Sequence, residues 1–127
     1  MLFRSPPSGG VTLAVTGVLF FAAGNLLRVW ATYAMGSSFD KDVLVRRDHR
    51  LVTTGPFRLT RHPIYAGNLL AELGLGIALG SWPLVLFTLA LSTPVNNWRA
   101  SREEQILRAH FGADYEAYGV RVGRWWP

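Results

Sequence analysis

The residues able to do chemistry fall into two groups far apart in this sequence. One is Arg61-His62-Pro63-Ile64-Tyr65-Ala66-Gly67; the other is Arg99 with the adjacent Glu103 and Glu104. Pro63 has no amide to donate, so it suits the first turn of a helix. It also pushes residue 62 out of helical geometry, which leaves Arg61 and His62 at the helix lip. There the backbone amides point outward and the dipole is positive, a setting that favours anions and nucleotide-like groups. Glu72 lies nine residues past Pro63, about 13 Å along an apolar helix. A carboxylate at that depth costs roughly 2.5 kcal/mol or more, so it needs a partner or a water-filled cavity. Arg28 and Arg99 are the cations within or at the ends of the apolar runs.

The elements that must position these groups follow from composition. A length of 127 residues fits one domain. Half of the residues are apolar, 17% are charged and mean hydropathy is positive, which favours a membrane class over an ordinary soluble domain. With no cysteine there is no disulfide, no thiolate nucleophile and no thiolate metal site, and no metal is expected. The net charge of +5 would suit nucleic acid, but the basic residues bracket apolar runs, as at a membrane surface. No nucleic-acid partner is therefore expected.

Residues 1–9 read as a short flexible lead. An apolar run from Gly10 to Met35 is long enough to cross a hydrocarbon core of roughly 30 Å, and too long for the apolar core of a signal peptide. Residues 36–62 form a basic loop with room for a short extended segment around Val43-Leu44-Val45. Two further spans, 63–79 and 83–98, are joined by Gly80-Ser81-Trp82-Pro83 into a tight hairpin, with Pro94 expected to kink or open the end of the last one. The tail 99–127 is amphipathic; Gly112 is a plausible helix stop, Asp114 could cap a further turn, and Arg124-Trp125-Trp126-Pro127 reads as an interfacial signature. Basic residues number one in the lead, six in the loop through Arg61, none in the hairpin turn and five in the tail. The positive-inside rule then places the loop and the tail in the cytosol and the N-terminus outside. Gly67, Ala71, Gly74 and Ala78 make a small-residue face for close helix contact, within the chain or in a homodimer. The expected architecture is all-α and integral to the membrane: three transmembrane helices and a cytosolic amphipathic C-terminal helix in a single domain.

Taken together, several motifs resemble one family. They are the Gly55-Pro56-Phe57 turn, Arg61-His62-Pro63-x-Tyr65-x-Gly67 opening a span, the short hairpin, Arg99 with Glu103-Glu104, and Phe111-Gly112-x-x-Tyr115-x-x-Tyr118. The chain resembles the isoprenylcysteine carboxyl methyltransferase and phospholipid methyltransferase superfamily of integral membrane enzymes. Leu27-Arg28-Val29-Trp30-Ala31 and Leu51-Val52-Thr53-Thr54 are similar to bacterial members, which implies a bacterial-type inner membrane. The resemblance implies methyl transfer from S-adenosylmethionine, bound at the cytosolic ends of the last two spans, to a lipid or prenylated acceptor. It implies cofactor contacts from His62, Tyr65, Glu103 and Glu104, with Arg61, Gly67, Tyr115 and Tyr118 completing the set, and Arg99 near the acceptor.

The residue chemistry is compatible with this. Carboxylates suit an amine or a sulfonium, arginines a carboxylate, and tyrosine faces an adenine or a sulfonium. A carboxylate acceptor is already ionised and needs an arginine clamp but no base. An amine or phenol acceptor would need Glu72 or His62 to take its proton. Two other readings compete: a membrane reductase of sterols or other lipids using a nicotinamide cofactor, and a non-catalytic membrane scaffold.

Overall fold

The computed structural model of the chain describes residues 8–35 and 51–125. Most of the expected lead, the extended segment around Val43-Leu44-Val45 with the basic residues Lys41, Arg46, Arg47 and Arg50, and Trp126 and Pro127 lie outside the described residues. What is described is all-helical, with no strand. It comprises α1 (Ser8–Met35), a 3-10 turn (Gly55–Arg58), α2 (Pro63–Ala78), α3 (Trp82–Phe87), a π turn (Thr88–Ser92), α4 (Thr93–Phe111) and α5 (Ala113–Arg121).

Helix α1 is long and apolar enough over Gly10–Met35 to cross a membrane, by length and composition. Its outer surface carries Val11, Leu13, Val18, Leu19 and Leu26, all exposed. Its inner surface is glycine. A Cβ on Gly17 would lie 2.3 Å from the Ala78 nitrogen, and one on Gly24 would lie 2.5 Å from the Ala71 nitrogen and from the Gly67 oxygen. The reverse holds as well, since a Cβ on Gly74 would meet Phe21 N at 2.4 Å and Gly17 O at 2.6 Å. The two helices run antiparallel with their backbones in contact, which only small residues allow. The small-residue face of α2 is thus covered by α1 of the same chain. Gly55, at φ +63°, brings the 3-10 turn against Ala34 and Trp30 at the C-terminal end of α1.

A short turn reverses the chain after α2. Gly80 takes φ +64°, and the Ser81 hydroxyl accepts from Leu84 N at 3.4 Å to cap α3. Gly76 lets Val85 pack close, as a tight hairpin needs. The helix that follows runs over residues 82–111, about 45 Å of rod, and ends at Gly112, the stop that the sequence suggests. The disturbance expected from Pro94 takes the form of the π turn just before it. There Thr88 O receives both the Thr93 amide and the Thr93 hydroxyl, the latter at 2.8 Å, and Ser92 O receives the Asn96 side-chain amide at 2.7 Å. These side-chain bonds add to the backbone ladder on the proline's N-terminal side, and the rod continues through it.

Gly112, at φ +54°, stops α4 and starts α5. Asp114 does not cap α5; it lies inside the first turn, where its charge still complements the dipole. Tyr115, Tyr118 and Val122 form a small buried cluster with Leu51, Phe57, Leu107 and Phe111 around it. This cluster folds the tail back onto the segment leading into α2.

Gly24→Ala and Gly74→Ala should each lower the thermal unfolding midpoint in detergent, because the new methyl meets backbone that cannot yield; the overpacking cost is about 1–3 kcal/mol. Gly119→Ala, whose Cβ would meet only Arg61 Nη1 at 3.5 Å, should leave the midpoint unchanged.

Candidate active site

The site is assembled where the start of α2, the middle of α4 and the end of the tail converge. Pro63 fixes the first turn of α2, and His62 takes the preceding position at φ −132° and ψ 63°. Its amide donates to Thr60 Oγ1 at 3.1 Å. That hydroxyl donates to the Arg124 carbonyl at 2.6 Å, and the Arg61 amide donates to Gly123 O at 3.1 Å. Tyr118 adds a third tie, its hydroxyl donating to Phe57 O at 2.7 Å. The lip of α2 is therefore bound to the tail along its backbone before any charge is considered.

The charges meet at two adjacent glutamates. Glu104, with its side chain 5% exposed, accepts from Arg124 Nε at 2.8 Å and Arg124 Nη2 at 2.9 Å, pairs with His62 Nε2 at 2.8 Å, and lies 3.5 Å from Arg61 Nη1. Glu103 accepts from the Tyr65 hydroxyl, and its other oxygen stands 3.3 Å from His62 Nδ1. The imidazole is thus held between the two carboxylates. It stacks on Tyr65 at 5.8 Å between centroids and has Trp125 tilted against it at 6.0 Å. Arg99 lies over the outer face of Tyr65, 5.1 Å from its centroid. Asn97 Oδ1 accepts from Arg124 Nη1 at 3.1 Å and from the Trp125 indole at 3.4 Å.

Burial alone would lower the His62 pKa, but hydrogen bonds to Glu103 and Glu104 and the charges of both outweigh it and hold it above 6.5. Burial alone would raise the Glu104 pKa, and bonds to His62 and Arg124 with the charge of Arg61 bring it down to about 2 instead. Burial and the Glu104 charge push the Tyr115 phenol up. Among the described residues, the buried atoms Arg61 Nε and Tyr115 Oη have no hydrogen-bond partner.

The structure brings together Arg61, His62, Tyr65, Arg99, Glu103 and Glu104, as their types and spacing anticipate. The remaining sequence candidates sit apart. Gly67 faces α1, with the stem of Arg28 against it, and Tyr115 and Tyr118 pack beneath the lip of α2. Glu72 is deeper along α2, where it accepts from Ser92 Oγ at 2.8 Å across from the π turn. Arg28, a candidate partner for it, donates instead to Asn25 Oδ1 at 3.2 Å. Sequence reasoning missed Thr60, Asn97, Arg124 and Trp125 as site residues. The Arg124-Trp125 pair, read as an interfacial signature, closes over His62.

Several groups match the parts of a ligand bearing an amine, a sulfonium, a carboxylate and an adenosine. Glu103 keeps 19% of its side chain exposed, Arg99 is exposed, Arg61 adds a positive charge beside Glu104, and Trp125 offers a ring face. The donor set of S-adenosylmethionine fits this arrangement.

Comparison with known proteins points the same way. The family model described as phospholipid methyltransferase matches residues 12–114. A probable protein-S-isoprenylcysteine O-methyltransferase of Oryza sativa subsp. indica is 34% identical over 114 residues, covering 87% of this chain and 59% of the relative. The Homo sapiens protein-S-isoprenylcysteine O-methyltransferase is 35% identical over 117 residues, with 87% and 39% covered. A bacterial relative, the cobalt-zinc-cadmium resistance protein CzcN of Cupriavidus metallidurans, is 33% identical over 118 residues, with 92% and 49% covered. Among solved structures, the eukaryotic intramembrane Ras methyltransferase, isoprenylcysteine carboxyl methyltransferase, superposes with a TM-score of 0.83 at 31% identity, covering 91% of this chain and 42% of that one. The chain thus spans between about two fifths and three fifths of the length of these relatives.

Stability should depend on pH in two opposite ways. The raised His62 pKa contributes stability that is complete below 6.5 and lost as pH rises through its elevated folded value. The lowered Glu104 pKa contributes stability that is complete above 4.5 and lost as pH falls through about 2. The thermal midpoint should therefore be highest between pH 4.5 and 6.5. In His62→Gln the alkaline fall should flatten, as thermal melts across the pH range would show.

Proposed function

Since this chain belongs to the phospholipid methyltransferase family, we propose that it transfers a methyl group from S-adenosylmethionine to a lipid-tailed acceptor at the cytosolic membrane face. The observation that carries the reading is the meeting of His62 and Tyr65 from the start of α2 with Arg99, Glu103 and Glu104 from α4. Residues distant in sequence thus form one polar cluster where the start of the apolar α2 meets the middle of α4.

Three spans are proposed: α1, α2 with the turn after it, and the helix from Trp82 to about residue 98. The remainder of α4 and α5 then stand outside the bilayer. Basic residues gather beside the pocket and are absent from the turn between α2 and α3, which supports a cytosolic site and tail. On this reading the acceptor approaches from the bilayer and the cofactor from the water.

The bound cofactor supplies an electrophilic methyl group on a sulfonium. The protein's part is to hold the two reactants in line and to exclude water. Glu103, oriented by Tyr65 and His62, is suited to the amine; Arg61, by its charge, to the carboxylate; the Trp125 ring to flat or cationic parts. Arg99 is placed to clamp an acceptor carboxylate of the isoprenylcysteine kind, which needs no base because it is already ionised. Glu72 stands seven residues from Tyr65, about 10 Å along α2, so it meets the body of the acceptor. It would accept the proton if the acceptor were an amine or a phenol.

Incubating the purified chain with methyl-labelled S-adenosylmethionine and total bacterial membrane lipid should yield a labelled lipid product. His62→Ala and Glu103→Ala should each weaken cofactor binding by about 10- to 100-fold, the loss expected for a charge-assisted hydrogen bond. Undisturbed binding in both variants would sink the site assignment, and a nicotinamide cofactor bound in place of S-adenosylmethionine would sink the reaction.

A further inference from the structure

The two glutamates are adjacent in sequence, yet their surroundings differ. A carboxylate offers about four lone-pair positions on its two oxygens. Those of Glu104 face the fork of Arg124 at 2.8 and 2.9 Å, His62 Nε2 at 2.8 Å and Arg61 Nη1 at 3.5 Å. Its side chain is 5% exposed, against 19% for Glu103, which holds only the Tyr65 hydroxyl and the longer contact to His62. A cationic ligand reaching Glu104 would have to displace a bidentate arginine from a buried site. Reaching Glu103 requires no such displacement.

Arg124 is also tied down by more than charge. Its carbonyl accepts from Thr60, its Nη1 donates to Asn97, and the neighbouring Trp125 indole shares that same Asn97 oxygen. On its other side, Gly123 O accepts from the Arg61 amide, and Val122 is buried with Tyr115 and Tyr118. Residues 122–125 thus form a strap across the lip of α2, and the Arg124–Glu104 fork joins it to α4.

We propose that Arg124 is a positioning residue that saturates Glu104 and pins this strap, leaving Glu103 as the one carboxylate of the pair that receives the positively charged ligand. The assignment of Glu103 rests on the cofactor reading given above; the pinning of the strap does not. The adjacent glutamates then have separate tasks, one structural and one in recognition.

Two readouts on the full chain in detergent separate these tasks. The first is hydrogen exchange of the amides of residues 118–125 without ligand. The second is calorimetric binding of S-adenosylhomocysteine, which keeps the amine and carboxylate of the cofactor. Arg124→Gln and Glu104→Gln should each speed strap exchange at least tenfold, and the double variant should go no further than either alone. Arg124→Lys, which keeps charge but not the fork, should fall between. Glu103→Gln should leave strap exchange unchanged and weaken binding at least tenfold. The proposal is overturned if Arg124→Gln leaves exchange at the wild-type rate, or if Glu103→Gln loosens the strap as Glu104→Gln does. It is also overturned if Glu104→Gln abolishes binding with the strap intact. Should the wild-type chain bind no S-adenosylhomocysteine, the assignment of Glu103 falls together with the cofactor reading, and strap exchange alone decides the role of Arg124.

Discussion

A buried carboxylate must be neutralised by its surroundings, and Glu104 is the point from which this half of the molecule is organised. It draws in His62 from the lip of α2, Arg61 beside it and Arg124 from the far end of the chain. Two segments far apart in the sequence, the lip of α2 and the end of the tail, are thereby fixed to one carboxylate on α4. Removing one partner would leave the others with an uncompensated charge in a site that water hardly enters, which is why such clusters tolerate little change. The same arrangement raises the His62 pKa above its ordinary value, through hydrogen bonds to both carboxylates and their charges.

The charge cluster needs a rigid frame, and the frame is made from the smallest residues in the chain. Gly17 and Gly24 on α1 sit against Gly67, Ala71, Gly74 and Ala78 on α2 with backbone touching backbone. In a bilayer there is no hydrophobic drive to bring helices together, so close packing of this kind carries the association. The frame holds α2 in place while its N-terminal end is left free to bear the site. Apolar bulk is turned outward on α1 and α3, with polar groups kept to the seam where α2 faces the second rod.

Much of this was legible beforehand, and the reasons are physical. Pro63 dictates a helix start wherever it occurs in such a run, so the position of His62 followed from local sterics. The small face of α2 followed from helical periodicity, and Gly17 and Gly24, seven residues apart on α1, carry the matching signal that was not paired with it. The family resemblance rested on motifs and holds across most of the chain. What stayed hidden depends on tertiary closure. Nothing local ties Arg124 to Glu104, twenty residues earlier, and its aromatic neighbours read equally well as membrane anchors. Pro94 announced a disturbance in the last span but not its form, because whether a helix breaks or widens depends on which neighbours can reach the freed carbonyls. Here the helix widens, with Thr93 and Asn96 adding side-chain bonds to Thr88 O and Ser92 O beside the proline.

That widened turn at Thr88–Ser92 has a consequence for how the molecule could vary. A π turn takes up one residue more than an α turn, and one residue is about 100° of helix rotation. The rod over residues 82–111 is therefore two helices in different phase: α3 aims its side chains by one reckoning, α4 by another. The turn acts as a vernier between the apolar part of the rod and the part that bears the charged cluster. Closing that turn to ordinary α geometry with all its residues kept would swing Arg99, Glu103 and Glu104 together away from α2 without altering any of them. The direction in which the pocket faces is thus set in the apolar part of the chain, where no functional motif would be sought.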